Sequence, residues 1–232
     1  MNNLDKIFNI EKNDIISITG AGGKTTLMFS LAQILSKKGS VLITTSTKIA
    51  IPESGFDKLY TSFNQYKKPK KNEIVCLGEL ISHKNKLRSI GYENLKNILE
   101  DFDYCIIEAD GSRNLPMKFW KDYEPVIYDF TNKTIGVLSI KVYGRKASAD
   151  FIYNYEKFAE FIDGEEINYK IFNKLIEYEK GLFKNFYKDK YVFINQVDTD
   201  EDIKYVKNII KNNKTDIKIV YGSLKKEVYY EN

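Results

Sequence analysis

The chain has 232 residues, enough for one α/β core, and its 43% apolar and 29% charged residues place it among globular proteins rather than disordered or membrane ones. A formal charge of +4, spread over 36 basic and 32 acidic residues, is not the concentrated basic footprint of a nucleic-acid binder. No signal-peptide stretch opens the sequence and no apolar run is long enough to span a bilayer, so a cytoplasmic protein with no membrane partner is expected.

Taken in chain order, residues 14–19 form a β-branched apolar run ending in glycines, which predicts a buried strand. A helix follows, with Leu27, Leu31, Ile34 and Leu35 on one face and Lys37-Lys38-Gly39 as its stop. Residues 41–45 predict a second, parallel strand beside the first, completing a βαβ unit. The basic run 67–71 reads as a solvated loop. Strands are predicted at 74–77 and 104–107, around a helix carrying Leu95, Ile98, Leu99 and Phe102. Cys76 and Cys105 fall in these two strands without zinc or redox spacing, so buried thiols are expected, a disulfide between neighbouring strands being the alternative. His83, the only histidine, sits in a polar stretch and reads as a surface residue. Further strands are predicted at 134–140, 191–194 and 217–221. The aromatic, helical segment of about 154–189 adds helices or a small lobe. The fold class expected is α/β, a doubly wound, mainly parallel sheet of the P-loop NTPase type with extra helices in the C-terminal half, forming a single domain over 1–232.

The first strand runs into Gly20-Ala21-Gly22-Gly23-Lys24-Thr25-Thr26. Glycines suit a phosphate cradle because successive backbone N–H groups must turn inward in conformations that side chains obstruct. Lys24 would place a cation on the outer phosphates, Thr25 would offer a hydroxyl to Mg²⁺, and the helix N-terminus adds partial positive charge. The usual GxxxxGK[ST] pattern has a glycine where this chain has Ile18. The shorter loop resembles that of Mur-type amide ligases, which supplies one alternative activity. A turn that merely lets a strand meet a helix is the plain structural alternative.

A second acidic signal follows the strand at 104–107: Glu108-Ala109-Asp110-Gly111-Ser112 lies where α/β sheets bind ligands, so Glu108 or Asp110 would complete the metal shell begun by Thr25. Thr44, Thr45, Thr47 and Lys48 end the second strand and are candidates for binding a small oxyanion or orienting a water, Lys48 with a catalytic role. Arg113 and Lys118 are candidates for a second cationic wall. Asn195-Gln196-Val197-Asp198 resembles the NKxD element of GTPases, with Asp198 as the guanine reader, while Thr199 and Asp202 are placed as a capping box. ATP and GTP both remain open as the nucleotide.

Three segments together, TGAGGKTTL at 19–27, TTSTK at 44–48 and IEADGSRNLPMKFWKDYEPVI at 107–127, resemble the YqeC family of selenium-dependent hydroxylase accessory proteins. The chain departs from that pattern at Ser46, where a threonine is usual, and at 153–156, where the family tends to show a His-Arg-x-Glu-like segment. The resemblance implies a P-loop fold and an accessory role in the maturation or cofactor supply of selenium-dependent molybdenum hydroxylases, with such a hydroxylase or its maturation factors as partner. The expected activity is slow Mg²⁺-dependent NTP hydrolysis or phosphoryl transfer. The alternative to an enzyme is a nucleotide-controlled binding switch.

Overall fold

The computed structural model describes residues 3–231. A short helix, α1 (Leu4–Ile7), precedes β1 (Ile15–Gly20), whose interior is buried on both sides, as a central parallel strand requires. The chain turns into α2 (Lys24–Leu35) and returns as β2 (Val41–Thr45). Short strands β3 (Lys48–Ala50), β4 (Lys58–Tyr60), β5 (Ile74–Leu77), β6 (Glu79–Ile81) and β7 (Lys86–Arg88) lead to α3 (Tyr92–Ile98) and β8 (Tyr104–Glu108). The second half holds β9 (Met117–Lys118), β10 (Lys133–Ser139), β11 (Ile152–Tyr153), α4 (Tyr155–Phe161) and α5 (Tyr169–Glu177). It ends with β12 (Asp189–Asn195), α6 (Asp200–Asn212), β13 (Lys218–Ser223) and β14 (Val228–Glu231).

Nine strands make one sheet in the order β14-β13-β12-β10-β1-β8-β2-β5-β4. Every pairing is parallel except that of β13 with β14. The side-chain period of two sends Ile16, Ile18, Ile43, Ile106 and Val137 to one face, under α1 and α2. Leu42, Val75, Cys105 and Ile107 go to the opposite face, under α3, and Leu138, Val192, Ile194 and Ile219 join a cluster with α5 and α6. Helices on both faces of a mostly parallel sheet are the doubly wound α/β arrangement. The aromatic stretch expected as extra helices packs into this same second cluster through Phe158, Phe172 and Leu175.

Two expectations are corrected. The second strand does not lie beside β1, because β8 inserts between them and pairs with both. A disulfide between Cys76 and Cys105 is ruled out geometrically. β2 separates their strands, Cys76 registering with Ile43 and Cys105 with Leu42, and the two thiols belong to clusters on opposite faces. Both are free and buried. Seven strands of two to four residues, β3, β4, β6, β7, β9, β11 and β14, escaped sequence reading because they are too short for a period to show; β3, β7 and β6 form an antiparallel sheet of their own.

Candidate functional site

The site lies at the C-terminal edge of the large sheet, where β1, β8 and β2 end side by side. Gly22 and Gly23 carry φ angles of +90° and +125°. A Cβ on Gly22 would sit 2.5 Å from that of Ser139, and one on Gly23 would sit 2.3 Å from the Asn195 amide nitrogen. Both conformation and space therefore demand glycine here. Gly23 is the N-cap of α2 and makes no side-chain cap bond, and the first turn contains no acidic residue, so the helix N-terminus carries partial positive charge without a side chain of its own helix to offset it. The backbone N–H of Ala21 donates to Val137 O at 2.9 Å, fastening the loop to β10.

Behind the loop lies a buried charged cluster. Lys24, only 4% exposed, donates to Gly20 O at 2.8 Å and stands 3.3 Å from Asp110 Oδ1 and 3.8 Å from Glu108 Oε1. Asp110 is fully buried and accepts on Oδ2 from Gly20 N–H at 2.9 Å and from the Trp120 indole at 2.7 Å, with Lys118 Nζ at 3.2 Å. Its Oδ1 has no hydrogen-bond partner. Lys118 in turn donates to Gly111 O at 2.7 Å and to Glu124 Oε2 at 2.9 Å.

The two carboxylates of the acidic strand end are differently tuned. Burial alone would raise the Asp110 carboxyl, but Lys118 and Lys24, helped by the Gly20 N–H and the Trp120 indole, outweigh it and hold Asp110 below its ordinary range. Burial raises Glu108 and is not fully offset by Lys24 and the Thr25 hydroxyl. For Lys24, burial opposes the charge, yet Asp110 and Glu108 keep it protonated and raise its pKa. Their positions differ too: Glu108 accepts from the Thr25 hydroxyl at 2.8 Å and lines the cavity, whereas Asp110 is turned inward.

That cavity has a volume of about 1120 Å³. Its floor is Gly22 to Thr26 and Glu108, one wall is β3 and β7 with Lys48, Lys86 and Arg88, and the other is the turn Gly111 to Pro116 with Tyr123 and Tyr153. Of the residues singled out in the sequence, the fold brings Gly22, Gly23, Lys24, Thr25, Thr26, Thr47, Lys48, Glu108 and Arg113 together around it. Thr44 and Thr45 are not ligand contacts. Both are fully buried, and their hydroxyls are used inside the sheet, donating to Leu77 O and Glu108 O at 2.8 Å each. Lys118 does not form a cationic wall, because it is buried against Asp110 and Glu124.

Asn195 holds the glycine loop: its amide donates to Gly22 O at 2.8 Å, and its carbonyl oxygen accepts from Leu224 N at 3.3 Å. Asp198 stands at the same sheet edge but outside the cavity lining, accepting from the Ser223 hydroxyl at 2.7 Å with Lys141 Nζ at 3.3 Å. Thr199 and Asp202 form the expected capping box of α6. His83 is exposed, as expected. Sequence reading missed Trp120, Glu124, Lys86 and Arg88; the first two lie inside the quoted segment 107–127, but a contact with Asp110 or Lys118 leaves no local signature.

The oxygen donors Thr25 and Glu108 suit a hard divalent cation such as Mg²⁺. Among the described residues no three His, Cys, Asp or Glu side chains converge into a metal cage. A cation here would therefore draw further ligands from water or from a bound phosphate.

The fold and site define an α/β protein with a glycine-rich strand-to-helix loop facing a paired acidic strand end. The chain belongs to the YqeC family, whose model, described as YqeC protein, matches residues 16–156. It is 28% identical over 180 residues to the Escherichia coli (strain K12) protein named "Uncharacterized protein YqeC", covering 74% of this chain and 70% of that one. No solved structure matches the chain. No helix among the described residues is long and apolar enough to cross a membrane.

Proposed function

We propose that the protein is a P-loop NTPase-like, Mg²⁺-dependent nucleotide-binding enzyme, and that the loop from Gly20 to Thr26 cradles the phosphates of ATP or GTP. The observation that carries this reading is the pairing of an uncapped helix N-terminus and Gly22-Gly23-Lys24-Thr25 with Glu108 across one cavity. Lys24, which lines the cavity and is held between carboxylates and the Gly20 carbonyl, would turn its ammonium to an outer phosphate on binding. Thr25 and Glu108 are the residues that would hold Mg²⁺, which supplies charge neutralisation for phosphoryl transfer. Asp110 then acts as a positioning residue, fixing Gly20, Lys24 and Trp120 from behind.

The reaction class is slow hydrolysis or phosphoryl transfer. The accessory role toward selenium-dependent molybdenum hydroxylases rests on the family resemblance, and the cytoplasmic setting on the sequence's lack of a signal-peptide or membrane-spanning run. Single-turnover release of phosphate from Mg²⁺-NTP tests the enzyme reading: the expected result is release abolished by Lys24→Ala, and tight binding with no release in the presence or absence of a hydroxylase would overturn it in favour of a switch. Asp198 has Ser223 on Oδ1 and Lys141 3.3 Å from Oδ2, and it lies outside the cavity lining, so the nucleotide stays ATP or GTP. A titration of ATP, GTP and CTP into wild type and Asp198→Ala decides between them: a guanine preference lost in the variant makes Asp198 the base reader, and equal binding of ATP and GTP removes it from the site.

A further inference from the structure

At about 1120 Å³ the cavity exceeds the roughly 300–1,000 Å³ usual for one small ligand, so a nucleotide on its floor leaves room opposite. What lines that room is unusual in its charge. Lys48 and Arg88 are direct cross-strand partners in the β3–β7 ladder, and Lys86 lies two residues from Arg88 on the same face. All three line the cavity, and none forms an ion pair among the described residues. Arg88 also registers with Glu79 of β6, but that carboxylate accepts from the Phe63 N–H at 2.7 Å and forms no ion pair with it, so the three cations are left facing the cavity. Arg113, on the facing turn, has φ +52° and lies 5.4 Å from the centre of the Tyr153 ring, which also lines the cavity. Tyr123 on the same wall is 66% exposed.

We infer that the space between these two walls is a second substrate subsite, taking a small phosphorylated molecule with a flat, apolar body. Arg88, Lys86 and Lys48 would bind its phosphate, since a guanidinium fork matches phosphate geometry and lysines add point charge. Tyr123 and Tyr153 would cover the body. The two ligands thus face each other across Thr25 and Glu108, with the outer phosphates of the nucleotide between them. This inference rests on the nucleotide reading only for what occupies the floor of the cavity.

The test uses phenyl phosphate as the probe, phenol as its uncharged control and inorganic phosphate as its bodiless one, each titrated calorimetrically into protein saturated with Mg²⁺ and a non-hydrolysable NTP. The expected result is one equivalent of phenyl phosphate bound beside the nucleotide, more tightly than phosphate, with phenol not binding. Lys86→Ala combined with Arg88→Ala, both exposed positions, should weaken the probe by about tenfold or more while changing nucleotide affinity less than about twofold. Absence of a second binding event, competition between probe and nucleotide, or an equal loss of nucleotide affinity in the double variant would overturn the inference. The nucleotide titration comes first, so its failure is seen separately: a chain that binds no nucleotide but still binds phenyl phosphate through Arg88 keeps the subsite and loses only the nucleotide reading.

Discussion

Lys24 is the residue on which most of the chemistry converges. It neutralises Glu108 and Asp110 in a space with almost no solvent, so replacing it leaves buried carboxylates without their cation. Breaking a buried ion pair from one side typically costs about 3–5 kcal/mol, and Lys24→Ala is expected to destabilise on that order, measurable by urea unfolding. Trp120 offers a different probe, being the single tryptophan and 4% exposed with its indole on Asp110. Its emission should be blue-shifted in the free protein and should change when Mg²⁺-NTP binds. Trp120→Phe should cost about 1–3 kcal/mol by stranding one Asp110 contact, again read by urea unfolding. The sequence made Lys24, Thr25 and the loop glycines visible because a glycine-rich strand-to-helix loop is local: the spacing of residues alone specifies it. It left Glu108 and Asp110 undivided, since the difference between them is direction. Glu108 faces the cavity and Thr25, and Asp110 faces Gly20, Trp120 and Lys118, contacts set by chain segments far apart.

Among the elements, α6 carries the clearest pH dependence. Asp202 accepts from Asp198 N–H and Thr199 N–H at 2.9 Å each and from Lys141 Nζ at 2.7 Å, and Thr199 returns a bond to the Asp202 N–H at 3.1 Å. Burial works against the carboxylate, but Lys141 and these backbone donors prevail and hold its pKa below the ordinary 3.8. An acid whose pKa is lowered on folding contributes stability that is present above its unfolded value and lost as the pH falls through its folded one. The Asp202→Asn variant should therefore be less stable than wild type at neutral pH, with the difference shrinking as acid is added; a gap independent of pH would show that shape, rather than charge, sets the cap. Thr199→Ala should cost about 0.5–2 kcal/mol by thermal or chemical unfolding. This cap was legible in the sequence because its spacing is three residues. The β3-β7-β6 sheet was not, because each strand is too short for periodicity to show and its register is set by partners far along the chain.

For the whole molecule, the fold brings the glycine loop, the acidic strand end and the cationic strands β3 and β7 to one cavity, although they come from separate stretches of sequence. Alternating strands and helices announced the α/β class, but strand order is a matter of crossover choice. β8 slips between β1 and β2, and this brings Glu108 and Asp110 directly beside the loop. A ligand bound only by the folded state at a hundredfold excess over its Kd adds about 2.7 kcal/mol. For a chain of this length, that should raise Tm by roughly 5–10 °C with Mg²⁺-NTP and by much less when Mg²⁺ is chelated. The most direct test of the nucleotide reading is equilibrium titration of Mg²⁺-ATP and Mg²⁺-GTP into the folded wild type and the Lys24→Ala and Thr25→Ala variants, with circular dichroism confirming that each is folded. Saturable, one-to-one, Mg²⁺-dependent binding that Lys24→Ala abolishes and Thr25→Ala makes insensitive to Mg²⁺ is the predicted result; no binding by the wild type, or binding unchanged in both variants, would contradict it.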